Sequence, residues 1–250
     1  MLDLDRVGFA YTPGKWVFRD VSLNVPAGSV VAVLGPNGRG KTTLLRCAAG
    51  LLRLREGSVR RDRPVGFVPQ AHGTAFGYRV ADMVLMGRAR HIRAYASPGP
   101  RDRAAAARAM ERVGVLELAQ RSFSELSGGE QQLVLIARAV ASGSGVLVLD
   151  EPAAALDLRN QGRVLALLRE LADDGLAVLL TTHHPGQALD IADGAVLMMR
   201  PDRVLVGPAG KLLTEAALTE LYDVEVHTVG YEEDGVHRQV LVTRYGSGRR

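Results

Sequence analysis

Residues 35–42 read Gly35-Pro36-Asn37-Gly38-Arg39-Gly40-Lys41-Thr42, with the spacing Gly-x4-Gly-Lys-[Ser/Thr]. An apolar run at residues 29–34 precedes this stretch, and a helix-compatible run that begins with Thr43 follows it. Strand, glycine loop and helix are the setting of a phosphate-binding loop, in which backbone N–H groups converge on a polyphosphate at a helix N-terminus. The lysine of such a loop reaches the β- and γ-phosphates, and the adjacent hydroxyl binds Mg²⁺. We therefore predict a nucleoside triphosphate site formed by residues 35–43.

The composition limits the partners that the chain can have. The 250 residues are 47% hydrophobic, and the net charge of +4 comes without a long basic tract, so nucleic-acid binding gains little support. No apolar run approaches the roughly 18 residues that a membrane-spanning helix needs. The first residues lack the basic-then-apolar order of a secretory signal, so we expect a chain that stays in the cytosol. The single cysteine, Cys47, excludes an internal disulfide and a cysteine-cluster metal site.

Short apolar strands alternate with helical segments over much of the chain. The pattern predicts strands at 30–34, 65–68, 146–149 and 177–180, and helices near 44–52, 130–141, 158–171 and 186–191. This alternation predicts an α/β fold whose mainly parallel sheet is covered on both faces. Residues 2–34 begin with short strands broken by turns, for which we predict an N-terminal antiparallel β region. Residues 196–206 are typical of a closing hairpin, and the tail has weak strand character.

Residues 71 to about 125 break this alternation. The segments 80–86 and 101–113 have helical spacing, and no convincing strand lies between them. We therefore predict one domain, residues 1–250, in which residues 71–125 form a helical subdomain inserted into the α/β core. No linker is long enough to separate a second independent domain.

Two carboxylates follow the apolar strand at residues 146–149. Because ligands bind at the carboxyl ends of parallel strands, Asp150 and Glu151 should face the same edge of the sheet as the glycine loop. Asp150 is suited to hold Mg²⁺ through water, and Glu151 could orient the attacking water or accept its proton.

The segment Leu126-Ser127-Gly128-Gly129-Glu130 allows two interpretations. Ser127 with Glu130 three residues later is the pattern of a capping box at a helix N-terminus. The two glycines are costly for ordinary helix initiation, yet they permit close approach of the backbone to an anion. The residues alone leave a structural cap and an anion-binding helix end both open.

Together these motifs resemble those of the ABC-type ATPases. The segment 126–130 is similar to the Leu-Ser-Gly-Gly-Gln/Glu signature and lies, as in that family, between the phosphate loop and the Asp-Glu strand. Four further motifs of the family have matching residues. Tyr11 resembles the aromatic residue that stacks on adenine, and Gln70 resembles the glutamine that senses Mg²⁺ and water. Asp157 resembles the aspartate of the loop at the dimer interface, and His183 resembles the switch histidine. The resemblance covers residues 2 to about 225.

The resemblance implies an ATP-hydrolysing dimer. Two copies would lie head to tail, with each ATP between the phosphate loop of one copy and Ser127, Gly128 and Gly129 of the other. Glu151 would polarise the water, while Lys41, Mg²⁺ and His183 would stabilise charge on the transferred phosphoryl group. The Mg²⁺ ligands would come from Thr42, Gln70 and Asp150. Gln131 and His184 depart from the residues that many relatives have, arginine and aspartate respectively.

Residues 78–88, 213–215 and 221–224 resemble the ATPases of metal-chelate importers, which serve iron-siderophores, haem, cobalamin and, in some members, molybdate or tungstate. In this interpretation the helical subdomain receives a separate polytopic permease, which works with an extracytoplasmic substrate-binding protein. The chain would then lie peripherally on the cytoplasmic face of the inner membrane. The alternative for residues 80–87 is an amphipathic helix that packs only on its own subdomain.

Two other functional classes compete with this hypothesis. One is the ATPase of a different transporter, with another cargo or with export as its direction. The other is a soluble ATPase of the translation or DNA-repair type, which usually has two cassettes or a long coiled-coil insert. This chain has one cassette and no sustained heptads, so the transporter hypothesis is favoured.

Overall fold

The computed structural model describes residues 1–70, 77–93, 95–233 and 235–244. In chain order its strands are β1 (Leu2–Thr12), β2 (Lys15–Val25), β3 (Val30–Leu34), β4 (Glu56–Arg61), β5 (Val65–Val68), β6 (Val146–Leu149), β7 (Ala177–Thr181), β8 (Gly194–Arg200), β9 (Arg203–Pro208), β10 (Glu225–Glu233) and β11 (Val236–Arg244). The α-helices are α1 (Lys41–Ala49), α2 (Val80–Leu85), α3 (Pro100–Val113), α4 (Gly128–Ala141), α5 (Leu158–Asp173), α6 (Pro185–Ile191), α7 (Ala209–Leu212) and α8 (Glu215–Tyr222). Short 3₁₀ helices lie at Met86–His91, Leu116–Leu118 and Phe123–Glu125.

The central sheet has the strand order β5-β6-β7-β3-β8-β9. Its strands are parallel from β5 to β8, and β9 joins the edge antiparallel to β8. The strands β3, β6 and β7 are fully buried, as their continuous apolar runs predict for a sheet covered on both faces. The predicted α/β fold with a mainly parallel core sheet is confirmed.

Alternate residues of β3 divide the core between the two faces of the sheet. Val30, Ala32 and Leu34 pack in the cluster that contains α4 and α5, whereas Val31 and Val33 pack with α1 and the N-terminal strands. Because side chains alternate along a strand, a single buried strand can anchor both layers. The glycine loop therefore follows directly from a strand that is buried between the two layers of the core.

The N-terminal strands form a separate antiparallel sheet in the order β2-β1-β4. The strands are longer than predicted, because β1 and β2 each run for 11 residues through several register irregularities. Arg61 of β4 ties this sheet to α1, since its guanidinium donates to the carbonyls of Ala48 at 2.7 Å and Cys47 at 3.0 Å. These bonds reach carbonyls of the last turn of α1, of which that of Cys47 also accepts the N–H of Gly50 at 3.0 Å.

The segment predicted as a helical subdomain contains α2, α3 and the 3₁₀ helices, and its apolar side chains pack against α4. Residues 71–76 and residue 94, which belong to the same predicted segment, lie outside the described residues. The division of the chain into a core and an inserted subdomain stays a prediction.

The C-terminal strands form a two-stranded sheet of their own, with Glu225 opposite Arg244 and Val229 opposite Val240. The sequence predicted only weak strand character here, because one face of the hairpin is exposed at Val229 and Val240 and the apolar pattern is diluted. Among the described residues, no helix has the length and apolar character needed to cross a membrane.

Candidate active site

The glycine loop turns between the end of β3 and the start of α1. Gly40 has φ +92°, and a Cβ atom there would lie 2.4 Å from Cγ1 of Val17, so both the backbone conformation and the space require glycine. Gly38 also has a positive φ, +80°. Helix α1 begins at Lys41, two residues before the predicted run from Thr43, which places the free N–H groups of its first turn directly after the loop.

Lys41 is held by its own loop. Its ammonium donates to the carbonyl oxygens of Gly35 at 2.6 Å and Pro36 at 3.2 Å, and the residue is 6% exposed. Burial lowers the pKa of the Lys41 ammonium, while the nearby carboxylates of Glu151 and Asp150 act to raise it. The side chain is thus a buried cation whose direction is fixed.

A cleft of about 620 Å³ opens in front of the loop. It is lined by Tyr11, Val17, Asn37, Gly38, Gly40, Lys41, Thr42, Thr43, Gln70 and Glu151, which includes most of the predicted nucleotide ligands of this side. Arg39, another predicted ligand, is exposed, and its N–H donates to the Pro36 carbonyl at 3.4 Å. The volume lies within the usual range for sites that hold small molecules and cofactors.

Tyr11 stands at the rim of this cleft with 61% of its surface exposed. Phe9 supports its ring edge-to-face, with 4.9 Å between the ring centroids, and its hydroxyl lies 3.1 Å from Oγ1 of Thr43. The contacts with Phe9 and Thr43 fix the orientation of the ring, and one face of the ring remains available for a planar base, as its predicted role requires.

Asp150 and Glu151 follow β6 at the same edge of the sheet. Asp150 is 5% exposed, and its N–H donates to the carbonyl of Val68 at 2.9 Å, which extends the pairing of β5 with β6. Glu151 has φ +48°, a left-handed conformation that is uncommon for residues other than glycine. This turn directs the Glu151 side chain into the cleft, while the Asp150 carboxylate stays buried.

Glu151 lies beside two other predicted site residues. Its Oε2 atom is 3.3 Å from Nδ1 of His183, and the amide Nε2 of Gln70 is 3.5 Å from the same oxygen. The structure thus joins three strand ends, those of β5, β6 and β7, around one carboxylate. The sequence predicted Glu151 from the strand that precedes it and predicted Gln70 and His183 through the family resemblance, and the proximity of the three supports a common site.

Thr181 is the site residue that the sequence analysis missed. Its hydroxyl donates to Oδ1 of Asp150 at 2.7 Å and accepts the N–H of Glu151 at 2.8 Å, and the residue is 0% exposed. The available signal was a hydroxyl at the carboxyl end of an apolar strand, next in the sheet to the strand that ends in two carboxylates.

The side chains of the two adjacent histidines that follow β7 lie close together. The rings of His183 and His184 lie 4.0 Å apart between centroids and are tilted by 43°. The chain turns from β7 into α6 at this point, so the side chains do not diverge. Burial lowers the pKa of His184, as does the neighbouring His183, while Glu151 acts to raise it.

The signature segment forms a complete helix cap at the start of α4. Oγ of Ser127 accepts the N–H of Glu130 at 3.4 Å, and the Glu130 carboxylate accepts both the N–H and the hydroxyl of Ser127 at 2.8 Å. The capping box is therefore present. Gln131 secures the approach to this cap, because its amide donates to the carbonyls of Phe123 and Leu126, each at 3.2 Å.

The two signature glycines differ in their surroundings. A Cβ atom on Gly129 would lie 2.5 Å from Cγ of Asn160 in α5, whereas a Cβ atom on Gly128 would come no closer than 3.8 Å to Leu156. Packing within this chain therefore explains a glycine at 129 but not at 128. Among the described residues that line the cleft, none belongs to the segment 127–129.

Asp157 is the N-cap of α5. Its carboxylate accepts the N–H of Asn160 at 2.8 Å and the Asn160 side-chain amide at 2.9 Å. It lies near the signature segment, since a Cβ atom on Gly129 would meet the side chain of Asn160, and Asp157 is not among the residues that line the cleft. Its predicted role at a dimer interface stays a prediction.

The glycine loop, the two carboxylates and the helix cap together define an ATPase of the ABC class. The sequence model of the family described as ABC transporter matches residues 18–154, more than half of the chain, and the chain belongs to this family. It is accordingly an ATP-binding and ATP-hydrolysing subunit. The molybdate import ATP-binding protein MolC of Haemophilus influenzae is 38% identical over 98% of this chain and 95% of its own length.

Two solved structures extend this comparison. An inward-facing metal-chelate type ABC transporter is 37% identical, with a TM-score of 0.92 over 98% of this chain and 97% of that one. A dimeric bacterial ABC transporter cassette is 26% identical, with a TM-score of 0.67 over 78% of this chain and 93% of that one. The predicted resemblance to the ATPases of metal-chelate importers is confirmed, and cassettes of this family form dimers.

Proposed function

We propose that the chain is the ATP-hydrolysing subunit of an importer for a metal chelate or a related ligand such as molybdate. The hydrolytic part of this proposal depends on Glu151, which lines the cleft in front of Lys41 and whose carboxylate lies beside both Gln70 and His183. The similarity to a molybdate importer subunit and to a metal-chelate type transporter supports the import part. The two comparisons have nearly equal identity, 38% and 37%, so the cassette does not distinguish between these cargoes.

The residues near the loop fit a magnesium ion. Thr42 and Gln70 line the cleft, and Asp150 is a buried carboxylate that, among the described residues, receives one side-chain hydrogen bond, from Thr181. Hydroxyl, amide and carboxylate oxygens are hard ligands of the kind that Mg²⁺ prefers. When bound with ATP, the ion would neutralise charge on the β- and γ-phosphates.

The side chains around the cleft divide the work of hydrolysis. Glu151 accepts a hydrogen bond from the attacking water and orients it, since its carboxylate faces the cleft. Lys41 places a fixed positive charge where negative charge develops on the transferred phosphoryl group. His183 donates to that group from the neighbouring strand end, and Tyr11 stacks on the adenine.

The signature side of the molecule, formed by Ser127, Gly128, Gly129 and Asp157, would act on a second copy of the chain. Gly128 has space for a side chain within its own chain, so its identity points to a close approach by something outside it. A head-to-tail dimer would bring Ser127, Gly128 and Gly129 to the phosphates in the partner's cleft, with Asp157 at the same interface. The helix N-terminus of α4 would then add positive potential at the γ-phosphate.

The test of this dimer uses Glu151→Gln, which removes the acid–base group and keeps the shape of the side chain. We expect this variant to bind ATP, to lose about 10²–10⁴-fold in turnover, and to double its mass in ATP when measured by light scattering. Adding Gly128→Ala should abolish the ATP-dependent dimer while ATP still binds. A Glu151→Gln variant with near-normal turnover would contradict the role of Glu151.

The import role is tested by capturing tagged Glu151→Gln protein from native membranes in the presence of ATP. We propose that the chain lies on the cytoplasmic face of the inner membrane, bound to a polytopic permease that works with an extracytoplasmic substrate-binding protein. Mass spectrometry should identify that permease and thereby narrow the cargo. Recovery of ribosomes, DNA or an export permease would support the competing classes instead.

A further inference from the structure

We propose that Thr181 is a positioning residue for ATP hydrolysis, whose single hydroxyl fixes the Asp150 carboxylate and the Glu151 backbone together. The inference rests on the hydrolytic roles proposed for Asp150 and Glu151. Thr181 itself is enclosed by the protein and is not expected to touch ATP, because the residue has no exposed surface.

The register of the sheet brings Thr181 to this position. In the parallel pairing of β6 with β7, Leu149 lies opposite Leu180, so Thr181 comes directly beside the residue that follows β6. On its other side Thr181 lies opposite Val33, one residue before the end of β3. The threonine therefore stands between the strand that leads to the glycine loop and the strand that leads to the two carboxylates.

The two hydrogen bonds of Thr181 can be made in only one arrangement. An ionised carboxylate only accepts, so the hydroxyl proton points to Oδ1 of Asp150, 2.7 Å away. A backbone N–H only donates, so Glu151 must donate to a lone pair of the same oxygen, 2.8 Å away. Because a β-branched side chain is stiff about χ1, this oxygen holds both groups in fixed directions.

The bond to Glu151 stabilises an unusual backbone. The N–H of Asp150 completes the pairing with β5 at the Val68 carbonyl, and the N–H of Glu151 lies beyond that ladder. The Thr181 hydroxyl takes the place of the missing backbone acceptor. Glu151 adopts φ +48° at this point, and that turn is what brings Oε2 to within 3.3 Å of Nδ1 of His183.

Loss of the hydroxyl should therefore affect catalysis more than nucleotide binding. Thr181→Val keeps the shape of the side chain but leaves the Glu151 N–H without its acceptor and Asp150 without its donor. A Glu151 backbone that relaxes toward negative φ would move its carboxylate out of line, and displacements of about 1 Å can cost about 100-fold in rate. The Asp150 carboxylate would also be less well directed toward a magnesium ion.

The experiment compares Thr181→Val, Thr181→Ser and Thr219→Val in the full chain. Thr219 provides a matched control, because its hydroxyl accepts the N–H of Val226 at 3.1 Å in the C-terminal part of the chain, and the same loss of an acceptor occurs there. We measure kcat and KM for ATP, the melting temperature, and the ATP affinity with Mg²⁺ and with EDTA. If Thr181→Val does not fold, Thr181→Ala removes the same hydroxyl without adding a methyl group beside Asp150.

We expect Thr181→Val to lower kcat by about 10- to 100-fold, with ATP affinity in EDTA unchanged and a higher Mg²⁺ concentration required for half-maximal ATP binding. Thr181→Ser should recover most of kcat, and Thr219→Val should retain it. Equal kcat in Thr181→Val and the unmodified chain, or equal losses in the Val and Ser variants, would overturn the proposal. An unmodified chain that does not hydrolyse ATP would instead contradict the proposed function.

Discussion

The phosphate side of this molecule is formed by the glycine loop and the residues around Glu151, and the signature side is formed by residues 127–129 and Asp157. Both sides contain a loop that leads into a helix, but their polar side chains have different partners. On the phosphate side, Lys41 and Glu151 line one cleft and His183 lies 3.3 Å from the Glu151 carboxylate, and a strained backbone and a buried ammonium are held there by specific partners. On the signature side, Ser127 and Asp157 cap helices and have their hydrogen bonds satisfied within the chain.

The difference shows where a ligand is required to explain the residues. Packing within the chain explains the capping box and Gly129, so the signature side needs a ligand only to explain Gly128. On the phosphate side, the contacts within the chain do not explain why a lysine, a glutamate and a histidine occur at positions 41, 151 and 183. We infer that the phosphate side binds ATP by itself and that the signature side forms a ligand site only together with another molecule.

The largest effect is expected on the phosphate side. Lys41→Ala removes the fixed cation of the loop, and we expect ATP hydrolysis to fall about 10³-fold and ATP affinity to fall about 30-fold or more. Lys211→Ala is the control, because this lysine is exposed and belongs to the C-terminal part of the chain. Equilibrium binding of a fluorescent ATP analogue separates the two effects, and unchanged affinity would contradict the role of Lys41.

A substitution on the signature side should lower hydrolysis without changing the monomer. Gly128→Ala fits its own chain, with the nearest side-chain atom 3.8 Å from the added Cβ. We therefore expect an unchanged melting temperature, unchanged ATP binding and about 10²-fold slower hydrolysis, because an N–H donor to the γ-phosphate is displaced. Gly129→Ala should lower the melting temperature as well, through the close contact with Asn160. Normal hydrolysis in Gly128→Ala would contradict the inference that the signature side acts on a ligand outside its own chain.

Tyr11 tests how far the phosphate side extends. Tyr11→Ala removes the exposed ring, and we expect KM for ATP to rise about tenfold, since stacking of a base on an aromatic ring contributes about 1–3 kcal/mol. Tyr11→Phe keeps the ring and loses only the contact with Thr43, so KM should remain close to that of the unmodified chain. Steady-state kinetics over a range of ATP concentrations measures both values, and equal KM in the Ala and Phe variants would argue against stacking.

The smallest effect concerns the cap of α5. Asp157→Ala should destabilise the chain by about 1 kcal/mol, the usual contribution of an N-cap, which corresponds to about 2–4 °C in melting temperature for a chain of this size. Asp157→Asn keeps an acceptor for the Asn160 N–H and should melt normally. If Asp157→Asn nevertheless hydrolyses ATP slowly, Asp157 has a role beyond the cap, as the predicted dimer interface requires.

The parts of the site that the sequence predicted without the family resemblance are those that a local pattern specifies. The glycine loop, the capping box and the strand before Asp150 each depend on neighbours within a few residues, and the structure contains all three. Helix α1 begins at Lys41, two residues before the helix-compatible run that was predicted from Thr43, because glycine spacing does not show where helical hydrogen bonds begin.

The missed features depend on residues that are distant in sequence. Thr181 meets Asp150 only because β6 and β7 pair in one particular register, and no local signal reports a register. The left-handed turn at Glu151 is likewise invisible in a segment that contains no glycine. The C-terminal hairpin was underestimated because its exposed face carries valines beside polar residues, which weakens the alternation on which strand prediction depends.

The backbone of Glu151 also has an evolutionary consequence. A residue other than glycine at φ +48° costs about 1–3 kcal/mol of stability, and glycine would adopt this conformation at little cost. Selection for heat resistance alone should therefore replace Glu151 with glycine, while selection for turnover keeps the glutamate. In a lineage that retained ATP binding but no longer needed hydrolysis, position 151 is where we expect the first substitutions to accumulate.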